Sequence, residues 1–344
     1  EAGPFKMADM IAEEDERRFY LGHSFLGFRG ELIPFPAEPE FAPLSSFPIT
    51  QEGSTFRVRD LGDGVTALSL TTKMGTWGPT AVKEATEFLR STPPERLVLA
   101  GEGRSFSAGY DLKTFSDFIA AKDWSGIEAA IKEFQDLGLL FSTIPSVAAV
   151  YGHCLGGGFE MAASCSLIAA HPESQIGLPE ALVGLIPGGT GTLIMRQRGQ
   201  GSAKQLADTI TTLAQGSVSV CADQARTMGF LRREDVTIYH PDRLIPEAKR
   251  LALSAVPGRS QDWPLVGGPV SGMIDQSVQE HKKAGSMTDH DIQIARWLKD
   301  AMVKSTNFDD ALTRERQGFL VLCQEGLTLA RINHMLESGR PLRN

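Results

Sequence analysis

Cysteine is scarce: four residues, Cys154, Cys165, Cys221 and Cys323, with no CxxC pair among them. That excludes a disulfide-stapled scaffold and a cysteine-clustered metal centre, and leaves small buried thiols of a reducing, cytoplasmic setting as the expectation. Long apolar runs are missing too. No stretch approaches the ~18 consecutive apolar residues of a membrane span, and the first residues lack the basic start and apolar core of a signal peptide. Positive charge is in deficit, with 34 Lys and Arg against 42 Asp and Glu and a net charge of -8. A nucleic-acid binder would carry a basic face, so nucleic acid is not expected as a partner. The seven histidines show no HExxH or paired spacing, and His153-Cys154 reads as core, so no metal is expected. There is no tandem repeat and no low-complexity tract. The chain also does not open with methionine, and Glu1 is read as a processed, cleaved or trimmed end.

What remains is an ordinary globular composition, 42% hydrophobic and 22% charged, over 344 residues. This length holds one large domain or two smaller ones. Pro4 lies at an early position of a helix start, and a proline-rich stretch, residues 34–53, reads as a linker with a boundary near Gly53. Phe56 to Leu61 and Val65 to Leu70 alternate like strands around Gly62-Asp63-Gly64, a hairpin signal. A helix is predicted from Pro79 to Ser91, a buried strand from Arg96 to Ala100, a helix from Trp124 to Ser142, and a buried strand from Ser146 to Tyr151. Repeated strand–loop–helix units give an α/β core. Beyond Pro187 the pattern is mostly helical: 203–215, 222–228, 244–255 and, after a Pro/Gly-rich connector at 258–271, 289–336.

The chemistry concentrates in residues 144–192, IPSVAAVYGHCLGGGFEMAASCSLIAAHPESQIGLPEALVGLIPGGTGT. Glu160 and Glu180 lie among glycine, alanine and large apolar neighbours. Desolvation raises a carboxylate pKa toward the range useful for proton transfer. Two such groups brought together titrate as a pair. Gly156-Gly157-Gly158 follows a buried strand; it serves either close strand–helix packing or the exposure of N–H groups at a helix start to developing negative charge. Ser107-Ala108-Gly109-Tyr110 is a second small-residue loop that could supply another donor. Glu180 after Pro179 also fits an ordinary helix-start carboxylate. The glycines of 184–191 suggest a phosphate loop but lack the Walker A lysine. Gly101-Glu102-Gly103 has Phe106 where a dinucleotide fingerprint needs glycine, and Gly103 to Ser107 misses the last glycine of a nucleophile elbow.

From about Phe56 to Ala255, the sequence resembles the crotonase, or enoyl-CoA hydratase/isomerase, family. RSFSAGYDLK, IPSVAAVYGHCLGGGFEMAASCSLIAA and IGLPEALVGLIPGGTGT follow that family's signature loops in order. The resemblance implies an α/β fold: a crotonase-like core of repeated ββα units with a helical C-terminal region, commonly assembled as a homo-oligomer. It implies an acyl-CoA substrate whose thioester oxygen lies between the backbone N–H groups of Tyr110 and Gly157. It assigns Glu160 and Glu180 as the catalytic pair, with Glu180 favoured as proton donor to C2, and gives Ala108, Asp111 and Gly188 as substrate-binding positions. Two departures stand out. Tyr110 occupies a place where small residues are common, and Leu178 one where a glutamine often precedes the proline.

Gly3-Pro4-Phe5 with Asp9 resembles the closing segment of 3-hydroxyacyl-CoA dehydrogenase domains, and the last residues resemble the end of two-function bacterial proteins. The division implied is 1–53 as dehydrogenase remnant and linker, 54–257 as catalytic core and 258–344 as helical region. The expected activity is hydration of 2-enoyl-CoA in fatty-acid β-oxidation, in association with a dehydrogenase half. No cofactor is expected, with NAD entering only through that half. The alternatives are a crotonase-type isomerase, which needs one carboxylate, and a non-catalytic CoA-binding or interaction module; the glutamate pair speaks against the latter.

Overall fold

The computed structural model describes residues 20–21, 24–26, 31–34, 40–199, 202–258 and 269–344. Chain contacts divide it into two units, Glu1–Phe41 and Ala42–Asn344. In the first, β1 (Tyr20–Leu21), β2 (Ser24–Leu26) and β3 (Leu32–Pro34) form an antiparallel sheet in that order. The expected helix start at Pro4 and the Gly3-Pro4-Phe5 and Asp9 resemblance fall outside the described residues.

The second unit is organised by central strands that are apolar on both faces. β4 (Ile49–Glu52), β5 (Phe56–Asp60), β6 (Val65–Leu70), β7 (Arg96–Gly101), β8 (Ser146–Val150), β9 (His153–Leu155), β10 (Leu167–Ala170), β11 (Gln175–Gly177) and β12 (Val236–Thr237) follow along the chain. Seven of them make one sheet, ordered β12-β10-β8-β7-β6-β5-β4. The β4, β5 and β6 pairings are antiparallel and the pairings from β6 through β12 are parallel. Because side chains alternate across a strand, Leu97, Leu99, Ala148 and Val150 join one apolar cluster, while Val98, Ala100, Val147 and Ala149 join another. A sheet covered on both faces needs such continuous apolar runs.

The hairpin turns where expected, with Gly62, Asp63 and Gly64 all at positive φ. Ile49–Glu52 departs from the linker reading: it pairs with β5 as the edge strand and is exposed throughout. Its polar side chains hid it from a hydrophobic pattern, and edge strands need no apolar outer face. Helices α1 (Pro79–Ser91), α2 (Leu112–Ala121), α3 (Trp124–Phe141), α4 (Gly157–Ser164), α5 (Gly191–Arg198), α6 (Ala203–Ala214), α7 (Ala222–Thr227) and α8 (Leu244–Ser254) surround the sheet. α8 covers the second cluster through Leu244, Ile245, Ala248 and Ala252.

The C-terminal region holds α9 (Pro269–Lys283), α10 (Asp289–Val303), α11 (Phe308–Cys323) and α12 (Gly326–Ser338). The helical run predicted from 289 to 336 is thus three helices. Thr288 opens α10 with a reciprocal capping box to Asp291, and the Asn307 side chain accepts from the Asp310 N–H to restart the chain as α11. α9 begins inside the stretch read as connector, because Pro269 suits the first turn of a helix. Three of the four cysteines are buried and all four are free.

One buried cation ties this region to the core. Arg331, 2% exposed, pairs with Asp291 at 2.7 Å and donates to the Ala181 carbonyl at 2.8 Å. Arg331→Met therefore removes the cation paired with Asp291 and one of the two donors on the Ala181 carbonyl, at a cost of about 3 kcal/mol. Urea denaturation checks this as a lower midpoint at unchanged m-value.

Candidate active site

Past the carboxyl ends of the parallel strands, the loops continue to exchange backbone hydrogen bonds. The Ala108 N–H donates to Met74, Trp77 to Gly109, and Asp111 to Trp77, at 3.0, 2.9 and 2.7 Å. Ser107 donates to His153 at 2.9 Å and Leu155 to Ser107 at 3.0 Å, and Gly156 donates to Gly177 at 2.9 Å across the parallel pair β9 and β11. This ladder holds the 107–110 loop, the Gly156 turn and the segment leading to Glu180 side by side. Ligand sites of open α/β sheets lie at this end of the strands.

The ladder leaves two donors over. Among the described residues, neither the Tyr110 nor the Gly157 N–H donates to a backbone carbonyl. Gly157 is the first residue of α4, where an N–H has no intrahelical partner. The two groups are neighbours, since a Cβ built on Gly157 would stand 3.2 Å from the Tyr110 nitrogen. That Cβ would also press on the Phe134 ring at 2.9 Å, so glycine is required there for the approach.

Three glutamates face this region. Glu160, in the first turn of α4 and 2% exposed, accepts at Oε1 from the Gly189 N–H at 2.8 Å and the Gly191 N–H at 2.7 Å. Glu180 opens a short 3-10 turn, Glu180–Val183. It is partly exposed as a residue, yet its Oε2 is sealed from solvent with no partner. Glu315, on α11 and fully buried, accepts from the N–H groups of Thr190 and Thr192, each at 2.8 Å, from the Thr192 hydroxyl and from Gln135 Nε2 at 2.9 Å. The amides of the glycine-rich loop, the ones that would cradle a phosphate, are therefore taken by carboxylates. Among the described residues no cluster of three or more His, Cys, Asp or Glu could hold a metal ion, and no helix is long and apolar enough to cross a membrane.

Ala108, Tyr110, Gly157, Glu160, Glu180 and Gly188 line one cavity of about 390 Å³. Its wall is mostly apolar and includes Phe115, Phe134 and Phe319. Tyr110 packs between Phe115 and Phe134, with ring centroids 4.9 and 5.1 Å away. Asp111 does not line it. Its carboxylate caps α2, accepting from the Lys113 N–H at 3.2 Å and the Thr114 hydroxyl at 3.0 Å. Glu315 escaped the sequence reading, although a signal existed: it falls on the buried stripe Ala311, Leu312, Gly318, Phe319 and Leu322 of α11. A charge on the core face of an amphipathic helix is the anomaly that marks it.

Burial dominates the electrostatics. It raises the Glu160 pKa well above the ordinary carboxylate range, and the charges of Glu180 and Glu315 raise it further, while the Gly189 and Gly191 N–H groups oppose the shift. Burial, opposed by a backbone hydrogen bond and reinforced by the charge of Glu315, pushes Glu180 up to about 8. Glu315 is raised by burial against the pull of its donors. All three carboxyls are thus pushed toward their neutral forms, and their charges interact.

Known proteins give the context. Residues 80–233 match the enoyl-CoA hydratase/isomerase family model. A probable 3-hydroxyacyl-CoA dehydrogenase of Bacillus subtilis is 30% identical over 305 residues, 83% of this chain and 39% of that protein. The crotonyl-CoA hydratase of Syntrophomonas wolfei is 33% identical over 180 residues, 50% of this chain and 62% of the relative. The chain thus spans under two thirds of the length of either relative. Among solved structures, an enoyl-CoA hydratase from Bacillus halodurans superposes with a TM-score of 0.57 at 16% identity, covering 81% of this chain and 99% of the other. An enoyl-CoA hydratase/isomerase from Xanthobacter autotrophicus Py2 gives 0.56 at 18% identity, with 84% and 95% covered. At these identities the likeness is one of fold.

The raised carboxyls carry a stability signature. A folded-state pKa near 8 lies above the unfolded value of 4.5, so the stabilisation of the neutral acid is complete below pH 4.5 and is lost as pH rises through 8. Glu180→Gln removes that titration. At pH 8.5 the variant is expected to exceed the native chain by about 1–2 kcal/mol after allowance for solvent screening. At pH 4 the two are expected to agree, and denaturant midpoints at both pH values check it.

Proposed function

Since residues 80–233 match the enoyl-CoA hydratase/isomerase family model, we propose that the chain hydrates 2-enoyl-CoA thioesters, adding water across the C2=C3 bond. The observation that carries this reading is the arrangement along one apolar cavity. Two glutamates with raised pKa values, Glu160 buried and Glu180 half-buried, line it together with two neighbouring residues whose N–H groups the backbone ladder leaves over.

In this reading the thioester oxygen accepts from the N–H groups of Tyr110 and Gly157. Both are preorganised by the backbone, so they stabilise the enolate charge without reorganisation when it forms. Glu160 and Glu180 hold the water between them. Burial raises both carboxyls, so the pair shares one proton; the N–H donors on Glu160 Oε1 offset part of its rise, and the reaction starts from the form in which Glu180 carries the proton. Glu160 accordingly takes a proton from the water as the oxygen bonds to C3, and Glu180 delivers its proton to C2. The product is the 3-hydroxyacyl thioester, with one proton still held by the pair. Gly188, on the cavity wall, has no side chain to obstruct the acyl group, and Ala108 borders the same space.

The product also suggests the partner. A 3-hydroxyacyl-CoA is the substrate of a 3-hydroxyacyl-CoA dehydrogenase, and a relative bearing that name aligns over 305 residues while extending well beyond them. We extend the proposal to joint action with such a dehydrogenase in fatty-acid β-oxidation, NAD belonging to that half.

Hydration of crotonyl-CoA and of a longer 2-enoyl-CoA, followed by loss of the conjugated-thioester absorbance, tests the reading. Glu160→Gln and Glu180→Gln are each expected to lower kcat by about two orders of magnitude or more. Full activity in both variants sinks the assignment. Turnover of 3-enoyl thioesters with none of 2-enoyl thioesters would make the chain an isomerase instead.

A further inference from the structure

The residues 189–192 are held from two sides. Successive amides alternate: the Gly189 and Gly191 N–H groups donate to Glu160, and the Thr190 and Thr192 N–H groups donate to Glu315. Between the two grips, Thr190 adopts φ 97° and ψ 2°, a left-handed conformation unusual for a residue with a side chain. Such backbone is strained and persists only where its surroundings over-determine it. Glu315 supplies that determination from a different part of the chain, 123 residues beyond Thr192.

The four contacts of Glu315 are all donors, which is the environment of an ionised carboxylate. Gln135, 1% exposed on α3, completes the set with its Nε2 and is itself oriented by Arg316, whose guanidinium donates to its Oε1. The chain of contacts runs from Arg316 through Gln135 and Glu315 to the 190–192 amides, and through the intervening glycine amides to Glu160.

We infer that Glu315 is a positioning residue that fixes the 188–192 turn and thereby sets the place of the Glu160 carboxylate in the cavity. Its carboxylate touches no reacting atom. The consequence for turnover rests on the hydratase reading; the consequence for the turn does not.

The test uses the full chain with Glu315→Gln and, as a milder variant, Thr192→Val, which removes only the hydroxyl donor. The glutamine is nearly isosteric but must aim its amide N–H groups at existing donors on one side. Two readouts are taken, amide hydrogen exchange of the peptide spanning 188–192 by mass spectrometry and steady-state kinetics on crotonyl-CoA. Exchange in that peptide is expected to rise about tenfold or more in Glu315→Gln, with peptides of the parallel strands unchanged. Thr192→Val is expected to move it the same way by a smaller factor. kcat is expected to fall about 10- to 100-fold while KM stays within about threefold, the pattern of a lost alignment rather than lost binding. Unchanged exchange at 188–192 in both variants overturns the inference whatever the activity. So does a kcat equal to that of an active native chain. Raised exchange in a chain with no native hydratase activity upholds the positioning role and defeats the hydratase reading. If Glu315→Gln unfolds, the exchange response of Thr192→Val decides alone.

Discussion

Peptide N–H groups standing in for counter-ions at buried carboxylates are the interaction on which the site depends. Glu160 and Glu315 are both nearly or fully withdrawn from solvent, and each would repel the other and Glu180 when ionised. One short run of backbone, residues 189–192, serves two of the three with alternate amides. Burial of an ion without such donors would cost several kcal/mol, and the group would take up a proton instead. Glu180 keeps an Oε2 with no donor, yet burial raises Glu160 as well, so the two carboxyls compete for a proton as a pair.

Glycine makes that allocation geometrically feasible. A Cβ on Gly189 would lie 2.6 Å from Glu160 Oε2 and 2.3 Å from the Phe134 ring, and one on Gly191 would lie 2.7 Å from Glu160 Oε1. The carboxylate approaches the chain more closely than any side chain permits. The same economy of space operates at Gly157, whose N–H lies beside that of Tyr110. The cost is a loop with little intrinsic preference for its conformation, which then needs support from outside. That support comes from the helical C-terminal region: Glu315 on the 190–192 amides, Arg331 on the Ala181 carbonyl and Thr328 on the Gly184 carbonyl. The region packs on the core and also buttresses the turn that carries Glu180 and the turn whose amides hold Glu160.

Much of the core was legible because its signals are local. Alternating residues gave β5 and β6, continuous apolar runs gave β7 and β8, and proline at a first turn gave α1 at its observed bounds. Glu160 and Glu180 stood out because charges are rare in apolar surroundings, and the glycine loops marked where backbone would be exposed. The edge strand Ile49–Glu52 and the start of α9 were not legible. Pairing with β5 makes the first a strand despite its exposed side chains, and the second depends on a helix start hidden in a Pro/Gly-rich composition. Asp111, given a substrate-binding place by resemblance, caps α2 through the Lys113 N–H and the Thr114 hydroxyl.

The sequence by itself determined the α/β periodicity, the glycine turns and the two carboxylates placed in apolar stretches, since each follows from neighbours within a few residues. Only the tertiary structure decided that Tyr110 and Gly157 leave their N–H groups side by side, and that a third carboxylate from α11 shares the loop with Glu160. The reason is physical: a hydrogen-bond donor is left over, or a charge is brought into contact, only once segments far apart in the chain have paired. Sequence spacing carries no record of that distance.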